Sequence, residues 1–395
     1  MRRKSGILVV MLLLCSFDTS LGTLEPVDYL ALQAVRKSLY DLPGSTFFAG
    51  WDFTGDPCGF PGVFCSAGRV VALALGDPRA GSPGLAGRLS PALGRLSALA
   101  ELSLVPGRVV GPIPPSLSLC RSLRFLALSR NFLSGAVPTS LPSLRGLRTL
   151  DLSFNLLSGP IPPAIAGIPA LSNLILCHNR LSGQIPPFPS SSPLLRLDLK
   201  RNSLSGAIPA LPASLRYLSL ASNGLSGPVD RVLPRLTRLN YLDLSMNQLS
   251  GQIPGQIFSF PVSSLQLQRN DFSGPVRPVG SLADGATVDL SYNQLTGPVP
   301  GKLAAAGRLY LDNNRFSGKV PARFVERVVS GAIKVLYLQH NYLTGFGISP
   351  AATIPASTSL CLQYNCMVPP VETPCPVKAG RQKTRPAAQC GWRKG

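Results

Sequence analysis

The chain has 395 residues, 45% of them hydrophobic and 14% charged, and Lys and Arg outnumber Asp and Glu 38 to 18 for a formal net charge of +20. So basic a chain favours acidic surfaces as partners, a polyuronate or an anionic lipid among them, and no nucleic-acid motif accompanies the charge, which sets nucleic acid aside. After residue 22 no stretch approaches the ~20 apolar residues of a membrane helix, and no apolar tail ends the chain, so neither a transmembrane nor a lipid anchor is expected.

Residues 1–22 read as a secretory signal. Arg2, Arg3 and Lys4 form a positive start, Ile7 to Cys15 an apolar stretch too short to span a bilayer, and Ser20 and Gly22 offer small residues for cleavage. Its removal takes away those three cations and Asp18, so the formal charge falls from +20 to +18. The expected product is secreted and extracellular. Of the nine cysteines, Cys15 leaves with the signal. Cys58 and Cys65 lie close together near the start, Cys361, Cys366, Cys375 and Cys390 cluster at the end, and Cys120 and Cys177 stand alone between. Paired cysteines at both ends suit an oxidising compartment. No Asn-x-Ser/Thr sequon occurs, so N-glycosylation is not expected.

From Val70 the chain repeats itself. "DLSFNLLSGPIPPAI" at Asp151 returns at Asp243 as "DLSMNQLSGQIPGQI". The Asn after each Leu-x-Leu recurs at 131, 155, 179, 202, 223, 247, 270, 293, 314, 341 and 365, at intervals of 21 to 27 residues. Two earlier units are degenerate: Gly107 takes the Asn place after "LAELSLV", and "VVALALGDPRAGSPGLAG" carries an insertion. Each position has a physical reason. Leu-x-Leu turns two leucines inward on one strand face while the residues between them point out. The Asn amide can meet backbone groups that would otherwise be buried and unpaired. Gly permits the bend in "LSG", and Pro, lacking an N–H, suits the back of the coil. One coil buries about five apolar side chains at ~1.5–3 kcal/mol each, too little alone against its own conformational entropy, so coils must stack and the end coils need caps.

This is the leucine-rich-repeat period, and "NxLSGxIP" resembles the plant-specific repeat of receptor-kinase ectodomains, receptor-like proteins and polygalacturonase inhibitors. The segment Asp28 to Cys65 resembles their N-terminal cap, with Trp51, Cys58 and Cys65 in place and Phe60 where a second Trp is usual. The resemblance implies an α/β repeat solenoid, a curved right-handed superhelix of about 13 coils with a parallel concave β-sheet and disulfide-closed caps. The expected organisation is signal 1–22, cap 23–69, solenoid 70–366 and a basic, cysteine-containing tail 367–395. Cys58 and Cys65 are expected to pair. The four late cysteines allow three connectivities, of which Cys366–Cys375 with Cys361–Cys390 is favoured. Cys120 fills a Leu position and reads as a buried free thiol. Cys177 points to the concave face for no evident reason.

By the same resemblance the binding surface is the concave sheet, whose outward positions lie two, four and six residues before each Asn. The candidate patch is Arg196, Lys200, Tyr217, Tyr241, Gln266, Arg269, Tyr310 and Tyr337, rich in the Tyr and Arg that dominate binding hot spots. Arg201, His178 and His340 lie just before an Asn, as Arg269 does. The tail adds a basic patch of Lys378, Arg381, Lys383, Arg385, Arg393 and Lys394. The "LDLS" aspartates are read as solvated positions of the repeat rather than acid–base catalysts. His178 and His340 are seven coils apart, too far to share a metal or a proton relay. No phosphate loop or Cys-x-x-Cys occurs, so no enzyme activity, metal or cofactor is expected. The favoured reading is a recognition protein of the plant apoplast that binds a protein or peptide in signalling or defence, a receptor kinase or cell-wall enzyme among the candidates. The alternatives are a wall protein held on acidic pectin by its surface and tail, and an inhibitor of a pectin-degrading enzyme.

Overall fold

A computed structural model describes residues 24–76, 84–349, 351–369, 375–376 and 384–390. The signal at 1–22 lies outside them, as do Lys378, Arg381, Lys383, Arg393 and Lys394 of the basic tail.

The cap opens with the helix Pro26–Ser38. Its Asp28 is fully buried and accepts from Arg69 Nε and Nη2, both at 3.1 Å, and from the Val70 amide at 2.8 Å. A buried carboxylate is tolerated because it is paired and hydrogen-bonded, and here the pairing locks the cap helix to the first coil. Trp51 packs edge-on against Phe48 at 5.0 Å and beside Phe60 at 5.5 Å, and its Nε1 donates to the Pro61 carbonyl at 3.0 Å. Phe60 thus serves the apolar role expected of it. Cys58 and Cys65 are bonded.

Among the described residues thirteen parallel strands, from Arg69–Leu75 to Ser359–Cys361, form the concave sheet, and the cap strand Val63–Ser66 joins it antiparallel as its fourteenth member. Register is set by the first inward leucine: Leu150, Leu174, Leu197, Leu218 and Leu242 face one another across successive strands, each with no exposed surface. The solenoid and its coil number are therefore as the repeat implied. A second sheet of thirteen strands runs along the flank, built from segments such as Leu156–Pro160 and Arg180–Gln184. The sequence reading saw only a bend in "LSG". The bend is there, with Gly159 at φ 76°, but Leu156 and Leu157 pair with Ser134 and Gly135 of the preceding coil, and Ser158 to Pro160 pair with Arg180 to Ser182 of the next.

The Asn column joins the coils. Asn155 Nδ2 donates to the carbonyls of Leu128, Leu152 and Ser153 at 2.9, 3.1 and 3.2 Å, while its Oδ1 accepts from the Leu133 amide at 3.0 Å. The same pattern recurs at Asn131 and Asn179. Gly107, which replaces an Asn, is required by space: a Cβ there would collide with Asn131 Oδ1.

At the far end one expectation is overturned. The bonds are Cys361–Cys375 and Cys366–Cys390, not Cys366–Cys375 and Cys361–Cys390. The reason lies in the backbone. Asn365 bridges to Thr384, and the Arg385 amide donates to the Asn365 carbonyl at 2.8 Å. That pairing brings residue 390 beside Cys366 and leaves Cys375 for Cys361, whose side chain closes the last concave strand and is fully buried.

Candidate functional site

The concave strands are only three residues long in most coils, so each presents a short set of outward side chains. Cross-strand register sorts the expected patch into two tracks. Arg196 faces Tyr217, which faces Tyr241. One position on, Asp243 faces Gln266, then Asp289, Tyr310 and Tyr337 follow in successive strands. Lys200 lies just past its strand. Arg269 lies past its strand, at φ 56° on the rim of the sheet, over the Tyr292 ring at 4.4 Å.

The first track forms one assembly. The Tyr217 and Tyr241 rings stack at 4.5 Å and 4°, and the Arg196 guanidinium lies 4.2 Å above Tyr217. Arg196 Nη2 meets Asp198 Oδ2 at 3.1 Å, and Tyr217 Oη donates to the same oxygen at 3.4 Å. Burial, then Asp198, pushes the Tyr217 hydroxyl far above its ordinary range, and burial followed by Asp243 takes Tyr241 to about 12. Both hydroxyls are neutral donors at any physiological pH. Stacked, half-buried rings present a rigid face to a ligand and lose little conformational freedom on binding. Further along, Tyr310 and Tyr337 meet edge to face at 5.1 Å, and Gln266 Nε2 donates to Ser264 Oγ at 3.1 Å.

The strand-end aspartates differ in burial, Asp151 and Asp289 being half-buried. Asp198 and Asp243 are 1% and 7% exposed. Asp243 Oδ1 accepts from the Ser245 amide at 3.1 Å and its hydroxyl at 2.6 Å, and Asp151 and Asp289 hold Ser153 and Ser291 in the same way. The aspartate and the serine two residues on therefore form a local turn that ends these three strands. Asp198 is followed by Lys200 instead of Ser and takes Arg196 as its partner, which marks that coil as different. Asp312, 5% exposed, has its carboxyl lifted to about 6 by burial, against the Asn313 amide that bonds it. Burial also raises Asp289. These groups serve the turn and track geometry.

The rim was missed as an element. Every residue just before a repeat Asn, from Arg130 to Tyr364, has φ between 52° and 57°, so its side chain stands off the edge of the sheet. The signal was available, because the column Arg130, Phe154, His178, Arg201 can be read off the repeat alignment. Cys177, beside it, is buried, and burial followed by Asp198 raises its thiol to about 12. Cys120 is fully buried, donates to the Leu93 carbonyl at 3.2 Å and is raised to about 11 by burial. Of the basic tail, Arg385 packs over the Tyr342 and Tyr364 rings at 4.0 and 4.7 Å and donates to the Asn341 carbonyl at 2.9 Å; it seals the last coil. Among the described residues no group of three or more His, Cys, Asp or Glu gathers to hold a metal ion, and no helix is long and apolar enough to cross a membrane.

Comparison with known proteins agrees with this architecture. The Leucine rich repeat profiles match residues 121–181 and 238–260, and the Leucine rich repeat N-terminal domain matches residues 25–66. No curated protein sequence matches the chain significantly. Among solved structures, the ectodomain of the plant membrane receptor kinase GASSHO1/SCHENGEN3 from Arabidopsis thaliana, in complex with CASPARIAN STRIP INTEGRITY FACTOR 2, is 29% identical with a TM-score of 0.64, covering 86% of this chain and 47% of that one. A plant ice-binding protein is 27% identical with a TM-score of 0.58 over 85% of this chain and 99% of its own. The Arabidopsis HAESA ectodomain with an IDA peptide hormone ligand is 25% identical with a TM-score of 0.51, covering 86% and 69%. The chain spans about half the length of the first of these ectodomains. The chain carries leucine-rich repeats behind a leucine-rich-repeat N-terminal domain, and its fold is similar to that of plant receptor-kinase ectodomains.

Proposed function

We propose that the chain is a non-enzymatic recognition protein of the plant extracellular space whose concave face takes a peptide or protein partner. The observation that carries this is the Arg196–Tyr217–Tyr241 stack, a pre-ordered aromatic and cationic surface on an otherwise short-stranded sheet. Two structural relatives of this architecture are in complex with a ligand, CASPARIAN STRIP INTEGRITY FACTOR 2 in one and an IDA peptide hormone in the other. A third binds ice, so the fold alone does not choose the ligand and the side chains must. The oxidising compartment follows from the disulfides at both ends. Signalling or defence in the apoplast is the setting this reading implies.

The test is capture of a partner from cell-wall extract by the purified chain, repeated with Tyr217→Ala, Tyr241→Ala and Tyr310→Ala. Truncating anchors of this type costs about 2 kcal/mol or more each, a loss of roughly thirtyfold. A partner held equally well by the triple variant would place the site elsewhere.

A further inference from the structure

The left-handed backbone of the rim is a conformation that Gly, Asn and Asp adopt most readily and that costs other residues free energy. The first coils of the rim nevertheless place Arg130, Phe154, His178 and Arg201 there in succession, at φ 57°, 54°, 56° and 54°. They form one strip. The Asn131, Asn155 and Asn179 amides donate to the Phe154, His178 and Arg201 carbonyls at 3.1, 3.1 and 3.2 Å, so the four residues advance one coil at a time. Arg130 lies 4.9 Å over the Phe154 ring, and Phe154 stacks on His178 at 4.0 Å and 13°.

The strip is charged and unneutralised. The ion pairs of the described residues are Arg69–Asp28, Arg196–Asp198 and Arg327–Asp284, so Arg130, Lys200 and Arg201 have none. No residue of the left-handed column is acidic. Burial, then Arg201 and Lys200, lowers the His178 imidazole below its ordinary range, against Asp198. The strip is also apolar between its charges, where Phe154 is 39% exposed.

We propose that this rim strip binds an acidic peptide segment of the partner, with carboxylates at Arg130 and Arg201 and an apolar or aromatic side chain on Phe154 between them. The inference rests on the recognition reading above and names the chemistry of the ligand. Three strand spacings separate the two arginines, ~14 Å, which an extended peptide spans in four or five residues. The favoured ligand therefore has two acids about four residues apart around an apolar residue. A uronate polymer bears a carboxylate on every unit and no apolar side chain, and would leave Phe154 without a matching group.

The test uses the full secreted chain and a fluorescent peptide, Glu-Ala-Phe-Ala-Glu extended by glycines, followed by anisotropy at low and at physiological salt. Wild type is expected to bind with an affinity that falls as salt rises. Arg130→Gln with Arg201→Gln should weaken it by about tenfold, as two exposed charge pairs would. Arg130→Lys with Arg201→Lys should retain most of the binding and so report that the rim still folds. Phe154→Ser should weaken binding by a part that does not depend on salt. Equal binding of a Gln-Ala-Phe-Ala-Gln probe, or indifference to the double Gln substitution, overturns the proposal. Polygalacturonate that binds the strip more tightly than the peptide also overturns it and assigns a polysaccharide instead. Tyr217→Ala and Tyr241→Ala should leave the probe bound. If those variants also leave partner capture intact, the concave-face reading fails while the rim result stands on its own.

Discussion

Replacing Asn155 tests the joint between coils directly. With Asn155→Ala, Leu128 O keeps a bond from Asn131, Leu152 O keeps one from Asn179 and Ser153 O keeps one from the Arg130 amide. Only the Leu133 amide, buried and bonded to Asn155 Oδ1 alone, loses its sole partner. An orphaned buried amide costs ~1–3 kcal/mol, and three thinned carbonyl bonds add about 1 kcal/mol, so a loss of roughly 3 kcal/mol is expected. Asn155→Asp should be worse at neutral pH. Its first oxygen can still accept from Leu133, but its second then faces three carbonyl oxygens at the distances where Nδ2 donated. Those oxygens and burial raise the carboxyl above its unfolded value. Stability from the protonated form is thus fully present below the unfolded carboxyl range and is lost as pH rises through the folded value. Urea unfolding of both variants, at about pH 4 and at pH 7, is the measurement. The reasoning is refuted if Asn155→Asp matches wild type at pH 7, or if its deficit against Asn155→Ala does not shrink in acid.

Asp312→Asn should act in the opposite direction. Burial has moved that carboxyl from 3.8 to about 6, so wild type loses stability as pH rises from about 4 to 6, and the variant should be more stable at pH 7 by ~1–3 kcal/mol, with no advantage near pH 4 in thermal melts. Cys120 and Cys177, raised to about 11 and 12, should alkylate at least about a hundredfold more slowly in the native chain than in urea, and mass spectrometry after iodoacetamide would detect the contrary. Arg385→Gln should fray the last coil, seen as faster amide exchange at Leu343 and Asn365, whereas Lys378→Gln, Arg381→Gln and Lys383→Gln together should not. If the pectin alternative holds, those three substitutions should instead lower salt-dependent retention on polygalacturonate, and unchanged retention would end it.

The solenoid was legible because one short rule repeats. Leu150, Leu152, Asn155 and Leu157 do in their coil what Leu242, Leu244, Asn247 and Leu249 do in theirs, and each is buried or bonded for the same reason. What escaped the reading depends on neighbours one coil away. The second sheet arises from pairing between "LSG" segments, which no single repeat displays. The partners of Asp198, Arg196 in its own strand and Tyr217 in the next, depend on side chains that the repeat does not fix. The disulfide pattern at the end was set by a backbone bridge between Asn365 and Thr384, a contact across nineteen positions for which spacing gives no cue. Of the expected patch, Tyr217 and Tyr241 were legible as outward residues, but their stacking required the register, and the seat of Arg269 over Tyr292 required the neighbouring coil.

The position of the candidate surfaces within the array follows from the same physics that stabilises it. In a stack held by nearest-neighbour contacts, each interior coil is supported on both sides and an end coil on one, so opening is easiest at the termini. This chain ties its first coil with Asp28, Arg69 and a disulfide, and its last with two disulfides and Arg385. Arg130 to Arg201 and Arg196 to Tyr241 lie in interior coils, at least two coils from either tied end. There the left-handed rim and the paired Asp198 are held by backbone bonds from both neighbours, so the free energy of holding bulky side chains in an unfavourable conformation is supplied by the stack rather than by the side chains themselves. A surface built this way can change its exposed residues coil by coil without disturbing the leucines beneath, and for that reason the ligand must be sought in the columns that vary.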